Sequence, residues 1–332
     1  MFRSYLIVFA VMIFSSVLFA ATWTVDNHPG ANFNTLSAAH TAASSGDTIL
    51  ISGSALPYAG ITFTKQLTLI GPGFFLNENT GLQANIHSAR VGACTFSSGS
   101  ANSVVMGVYF TNTVTIFTGV VKIRRCRVEN TSYGIIFQSG SDGSEVSQSY
   151  IENTLTNSSP PSILINASLA DIKINNNYID HAGTSYYAIS TAGSSSLSGS
   201  SAIFNNVIRQ HVDISGGVIY NNILISGNFS SAGATTYNNI GNSTQFGTEN
   251  GNQINVNMTD VFVESGTSDG QWQIAADGPA DDNGFGGTDC GMFENGINMG
   301  YVLSGIPPVP AIYDFSATTD LSDITVNARA NQ

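Results

Sequence analysis

Four of the ten basic residues of the chain crowd onto one short stretch, Lys122-Ile-Arg124-Arg125-Cys-Arg127. Guanidinium and ammonium groups at that density can hold a carboxylate or fork onto hydroxyls, so the stretch is a candidate for binding an acidic sugar chain. The competing reading is ion pairing with Glu129, Glu145 and Glu152 a repeat away. Downstream, Tyr178-Ile-Asp180-His181 places a carboxylate beside an imidazole. With Arg125 and Arg127 neutralising an acid sugar and Asp180 and His181 moving a proton, these four are the candidate catalytic set. The alternative is that Asp180 and His181 shape a solvated turn.

Asp277, Asp281, Asp282 and Asp289, with Asn283 among them, could surround a calcium ion, which favours several oxygen ligands. Their spacing does not follow the twelve-residue calcium loop, and Asp and Asn also shape Gly-rich turns. Calcium is the one cofactor these residues suggest; nothing else in the sequence asks for one. No Gly-X-Ser-X-Gly elbow occurs, so the many serines bring no nucleophile motif.

The elements that must position these residues are read from a repeat between Val105 and Ile240. The copies are Val105-Met-Gly-Val108-Tyr-Phe110, Ile123-Arg-Arg-Cys126-Arg-Val128, Val146-Ser-Gln-Ser149-Tyr-Ile151, Ile174-Asn-Asn-Asn177-Tyr-Ile179, Ile203-Phe-Asn-Asn206-Val-Ile208, Ile219-Tyr-Asn-Asn222-Ile-Leu224 and Thr236-Tyr-Asn-Asn239-Ile-Gly241. Apolar residues alternating on short segments, returning at intervals of roughly 16 to 29 residues, mark coils stacked on coils. Stacking sets like residues about 4.8 Å apart, so Asn177, Asn206, Asn222 and Asn239 can form an amide ladder. Fifth positions point outward. Tyr109, Arg127, Tyr150 and Tyr178 therefore line one column on which sugar rings could stack, with Lys122 and Arg124 nearby. The plainer reading is that tyrosine is simply a good strand former. A second column, Phe204, Tyr220 and Tyr237, stands at the second position, where it could instead pack beneath a loop.

Composition sets the class. Only 10% of the 332 residues are charged, and 42% are apolar with regular spacing, which argues for a packed core rather than disorder. The formal charge is −12, which makes nucleic acid a poor partner. Arg3, the apolar run from Tyr5 to Phe14 and small residues up to Ala20 or Ala21 read as a secretory signal over residues 1–20. The run is shorter than the roughly 18 residues a span needs, so no stable membrane insertion is expected after cleavage. Cys94, Cys126 and Cys290 form no disulfide framework, and Cys126 reads as a small buried filler.

Before the repeat, Leu36, Ala39, His40 and Ala43 recur at helical spacing, with Asn34 or Thr35 to start the helix and Gly46 to end it. Then follow Gly46-Asp-Thr-Ile49, Tyr58-Ala-Gly60 and Leu69-Ile-Gly71-Pro-Gly73. On these residues the chain resembles the pectate-lyase-like family of right-handed parallel β-helices over roughly residues 22 to 300. The string from Asp277 to Phe293 is similar to the closing turn of many secreted β-helix proteins. The resemblance implies an all-β fold: a single-stranded right-handed parallel β-helix over 21–300, with an N-terminal helical cap and a loop-rich C-terminal cap. Residues 301–332 follow as a linker and tail, in which Pro307-Pro-Val-Pro310 is a stiff extended link.

The family's Arg-X-Pro-X-X-Arg string and calcium-binding Asp cluster on adjacent coils are missing, as are the polygalacturonase motifs. The expected function is therefore a monomeric, extracellular or cell-surface protein that binds polysaccharide. A divergent polysaccharide lyase or glycoside hydrolase is the first alternative, and a structural or adhesive solenoid the second.

Overall fold

The computed structural model describes residues 20–130, 132–157, 160–294, 300–320 and 322–331. The leader expected over residues 1–20 lies outside them except for Ala20. The chain winds as a parallel β-helix with three faces. The first face runs from Thr22–Val25 and Thr48–Ile51 through Thr68–Ile70, Val104–Met106, Lys122–Arg124, Glu145–Ser147 and Lys173–Asn175. It continues through the ends of Leu197–Phe204 and His211–Tyr220 to Thr235–Tyr237, and each strand pairs in parallel with the next. The second face is an eight-stranded sheet from Arg90–Val91 to Ile240–Gly241. The third runs from Thr62–Phe63 to Phe229–Ala232.

Each repeat unit is one corner between the first and second faces. Its first and sixth residues point inward: Val105, Ile123, Val146, Ile174, Phe110, Val128, Ile151 and Ile179 are all fully buried. Its third residue takes the left-handed conformation in every copy, at φ 67 for Gly107, 50 for Arg125, 52 for Gln148, 54 for Asn176, 55 for Asn205 and Asn221, and 50 for Asn238. Asn tolerates that region better than most side chains, which explains the Asn-Asn pairs. At Gly107 there is no choice, because a Cβ would stand 2.6 Å from the Gly71 carbonyl oxygen.

The left-handed residue turns the fourth side chain into the core, where the expected ladder forms. The amide of Asn177 donates to Asn206 Oδ1 at 3.0 Å, Asn206 to Asn222 at 2.9 Å, and Asn222 to Asn239 at 3.0 Å. The same oxygens accept the backbone N–H groups of Asn177, Asn206 and Asn222 at 3.0 Å. The ladder starts at Ser149, whose N–H donates to Asn177 Oδ1, and ends at Asn252. Ser103, Ser144 and Ser201 play a similar part at another corner, each hydroxyl accepting a backbone N–H from the coil before it.

A short helix, α1 (Leu36–Ala42), starts at Thr35, whose hydroxyl accepts from Ala38 N–H, and places Leu36 and Ala39 in the main core. Cys94 stands inward on the third face opposite Val114. Burial pushes the thiols of Cys94, Cys126 and Cys290 up to about 12, so all three are neutral fillers. Among the described residues no helix is long and apolar enough to cross a membrane.

The departure from expectation is the C-terminal segment. It does not stop at the end of the solenoid but runs back along it as a strap. The left-handed third residues hold it in descending order. Asn238 donates to Asn283 O at 3.1 Å, Asn221 Oδ1 accepts from Phe285 N–H at 2.8 Å, and Asn176 donates to Met292 O at 3.3 Å. Gln148 then donates to Gly300 O at 2.9 Å and Arg125 to Ile306 O at 2.8 Å. Beyond Pro310, the strands Ala311–Ala317 and Ile324–Arg329 form an antiparallel hairpin.

The amide ladder makes a direct prediction. Asn222→Ala leaves the amides of Asn206 and Asn239 and the carbonyls of Ile203 and Tyr220 short of partners. It should cost about 3 kcal/mol or more in urea unfolding. A loss below about 1 kcal/mol would mean that the ladder does not hold the coils in register.

Candidate functional site

The tyrosine column that the repeat suggested is on the second face, and half of it is covered. Tyr150 and Tyr178 are 4% and 1% exposed, so neither offers a platform for sugar. Tyr178 is stacked between Tyr150 at 4.5 Å and Trp272 of the returning chain at 4.7 Å, and Tyr150 donates to Ser268 O. Val207, Ile223 and Ile240 continue the column beneath Val261, Phe262, Cys290 and Met292. The physical reason is the strap: outward from the solenoid is inward to this second core.

At the open end of the column, Arg127 lies over Phe75 at 4.3 Å and Tyr109 at 4.7 Å. Its charge is met by Glu129 and by Glu152 at 3.3 Å, while Tyr109 donates to Glu129 at 2.8 Å. Tyr109, Arg127, Arg90 and His87 border a cleft of about 590 Å³. Ion pairing, the plainer of the two readings of Arg127, is what the geometry shows.

The proposed catalytic four do not assemble. Asp180 and His181 are successive strand residues and point to opposite faces. Asp180 pairs with Arg209 at 3.1 Å and accepts from Tyr178 at 3.4 Å. Burial pushes its carboxyl up, the Arg209 charge opposing. His181 is fully buried, accepts the Gly183 N–H at Nδ1 at 3.0 Å, and is held below the usual imidazole range by that burial. Arg125 is buried in the corner, donating to Gln148 at 2.8 Å and to the strap. It anchors the strap and also lines a cleft on the first face.

Lys122 and Arg124 stand on the first face. Lys122, Glu145 and Lys173 are register neighbours, as are Arg124, Ser147 and Asn175. Arg124 is bidentate on Glu145, at 2.9 and 2.7 Å, and Ser147 adds a third hydrogen bond at 2.6 Å. Burial pushes the Glu145 carboxyl up, but these donors outweigh it and hold it below the usual range. Lys122 and Lys173 make no ion pair among the described residues. Lys122, Arg124 and Lys173 outnumber Glu145 and Asp171, whose carboxyl feels the Lys173 charge, and leave a local surplus of positive charge in a chain of net −12.

Arg124, Glu145, Lys173, Asn175, Met106 and Phe204 line a cleft of about 390 Å³, walled by Pro308 of the strap. From Phe204 the second-position column continues into Tyr220 at 4.8 Å and Tyr237 at 4.9 Å, each ring stacked on the last. Phe285, 62% exposed, stands against both tyrosines. Face-to-face stacking uses the ring faces on each other, so this column offers edges and hydroxyls along its length. Lys173 was missed in the sequence, although its register with Lys122 follows from aligning the repeat copies.

Asp281, Asp282 and Asp289 come together, each offering an oxygen within 4.8 Å of the others. Asp277 joins them only through its backbone N–H, which donates to Asp281 at 2.7 Å.

No protein-family model and no curated protein matches this sequence. Among solved structures it is similar to the pectate lyase Pel9A, with a TM-score of 0.43 and 12% identity over 86% of this chain and 94% of that one.

Two predictions follow from the covered face. Gly305 sits at φ 55 with a Cβ position 2.3 Å from the Phe74 ring and 2.5 Å from Arg125 O, so Gly305→Ala should lift the strap. In a Trp23→Phe background, Trp272 emission should then shift to the red; unchanged emission would show that the strap is not held there. The second concerns Glu152, whose carboxyl is pushed up by burial, opposed by Arg127 and reinforced by Glu129 and Asp180. A raised folded value means that stability falls as pH rises through the window from the ordinary carboxylate range to that higher value. Glu152→Gln should flatten this fall in thermal melts; an equally steep fall in the variant would contradict it.

Proposed function

We propose that this is a secreted protein that binds an acidic extracellular or cell-surface polysaccharide along its first face. The observation that carries the reading is the cleft between Arg124 and Lys173, where cations outnumber carboxylates in an otherwise acidic chain. A sugar chain lying across the strands would meet Lys122 and Lys173, two ammonium groups without an ion-pair partner among the described residues, about 10 Å apart across Glu145. Asn175 offers amide hydrogen bonds beside them, and the aromatic column extends the path. Attraction of this kind weakens with salt.

Affinity electrophoresis and calorimetry against a panel of acidic and neutral polysaccharides, with and without calcium, test the reading. Acidic chains should bind, and Lys173→Ala should weaken binding about three- to tenfold. Tyr150→Ala should leave affinity unchanged while destabilising the fold by about 3 kcal/mol or more. Retention of no acidic polysaccharide would refute the reading. Absorbance of unsaturated products over the same panel separates binding from lyase chemistry, and under the binding reading it stays flat.

A further inference from the structure

The second outward column of the first face does not begin at Arg124. Traced towards the N-terminus it reads Met106, Ile70, Leu50 and Thr24, each the register neighbour of the last. Leu50, Ile70 and Thr24 floor a cleft of about 760 Å³, whose other wall is Pro307, Val309, Pro310, Ile312 and Phe315 of the strap and hairpin. Ile312 and Phe315 are 48% and 58% exposed, so apolar surface faces water across this groove.

The groove and the cationic cleft meet end to end. Ile70 belongs to the first and Met106 to the second, on adjacent strands, and Pro307 and Pro308 wall them in turn. Leu50 and Arg124 stand three strands apart, about 14 Å at the spacing of a sheet. An aliphatic chain anchored beside Arg124 would therefore run along Met106, Ile70 and Leu50, burying apolar surface on both walls.

We propose that the first face binds an acylated anionic saccharide, its acid group at Lys173 beside Arg124 and its alkyl chain in the groove of Leu50, Ile70 and Phe315. This rests on the reading of the cationic cleft given above and adds the lipid portion of the ligand. The charge at one end of the groove selects an anionic amphiphile over a neutral one.

The test uses the secreted protein and calorimetry below the micelle concentration, with dodecyl glucuronide, methyl glucuronide and dodecyl maltoside as probes. Dodecyl glucuronide should bind at least about tenfold more tightly than either of the others. Phe315→Ser, at an exposed position that cannot unfold the solenoid, and Leu50→Gln should each remove most of that gain. Lys173→Ala should weaken both glucuronides and leave the maltoside unchanged. Equal affinity of the two glucuronides would overturn the proposal while leaving the polysaccharide reading standing; no binding of either glucuronide or of acidic polysaccharide would remove both. Equal affinity for dodecyl maltoside would mean unselective adsorption of detergent and would also overturn it. So would a dimer in sedimentation that Phe315→Ser returns to monomer, since a second copy would then occupy the groove.

Discussion

The buried amide column from Asn177 to Asn252 is the constraint on which the rest depends. The amide oxygens of Asn206, Asn222, Asn239 and Asn252 each take a backbone and a side-chain hydrogen bond from the coil before, and the amide nitrogens of Asn177, Asn206, Asn222 and Asn239 reach carbonyls of earlier coils. A shift of one residue would bury these groups without partners, at about 1–3 kcal/mol for each. Register is thereby fixed at the corner of every coil. With it are fixed the residues on either side: the second points out on the first face, the third lies in the left-handed region, and the fifth points out on the second face.

That fixed corner gives the strap its rail. Third-position side chains of different types, Asn, Gln and Arg, all reach the backbone of the returning segment because the left-handed turn aims them the same way. The segment then closes over the second face, where Tyr178, Trp272 and Phe262 form a stacked and edge-on cluster. The ion pairs of Arg127 and Arg209 with Glu129, Glu152 and Asp180 border it, where partial burial makes each carboxylate depend on its partner. The open clefts lie instead on the first face, which the strap walls at Pro307 and Pro308.

The coils, the inward residues and the amide ladder were legible because they rest on local alternation and on a repeat length. The covering of one outward column was not, because it depends on contacts between residues more than a hundred positions apart, such as Asn176 with Met292. A sign was present all the same. Below Tyr178 the fifth position turns to Val207, Ile223 and Ile240, and three aliphatic residues in succession at outward positions announce a lid. The first Asn of each Asn-Asn pair carried the other missed signal, a left-handed corner with a side chain free to dock. Arg124 was placed among the binding residues for its charge; its pairing with Glu145, and the place of Lys173 on the far side of that carboxylate, come only from strand register.

Hydroxyl-radical footprinting of the free protein tests most directly which face is covered. Tyr150, Tyr178 and Tyr301, all buried, should resist modification until the chain unfolds, while Phe285 reacts at once. Rapid modification of Tyr150 and Tyr178 in the folded protein, at a rate comparable to Phe285, would contradict the covering of the second face.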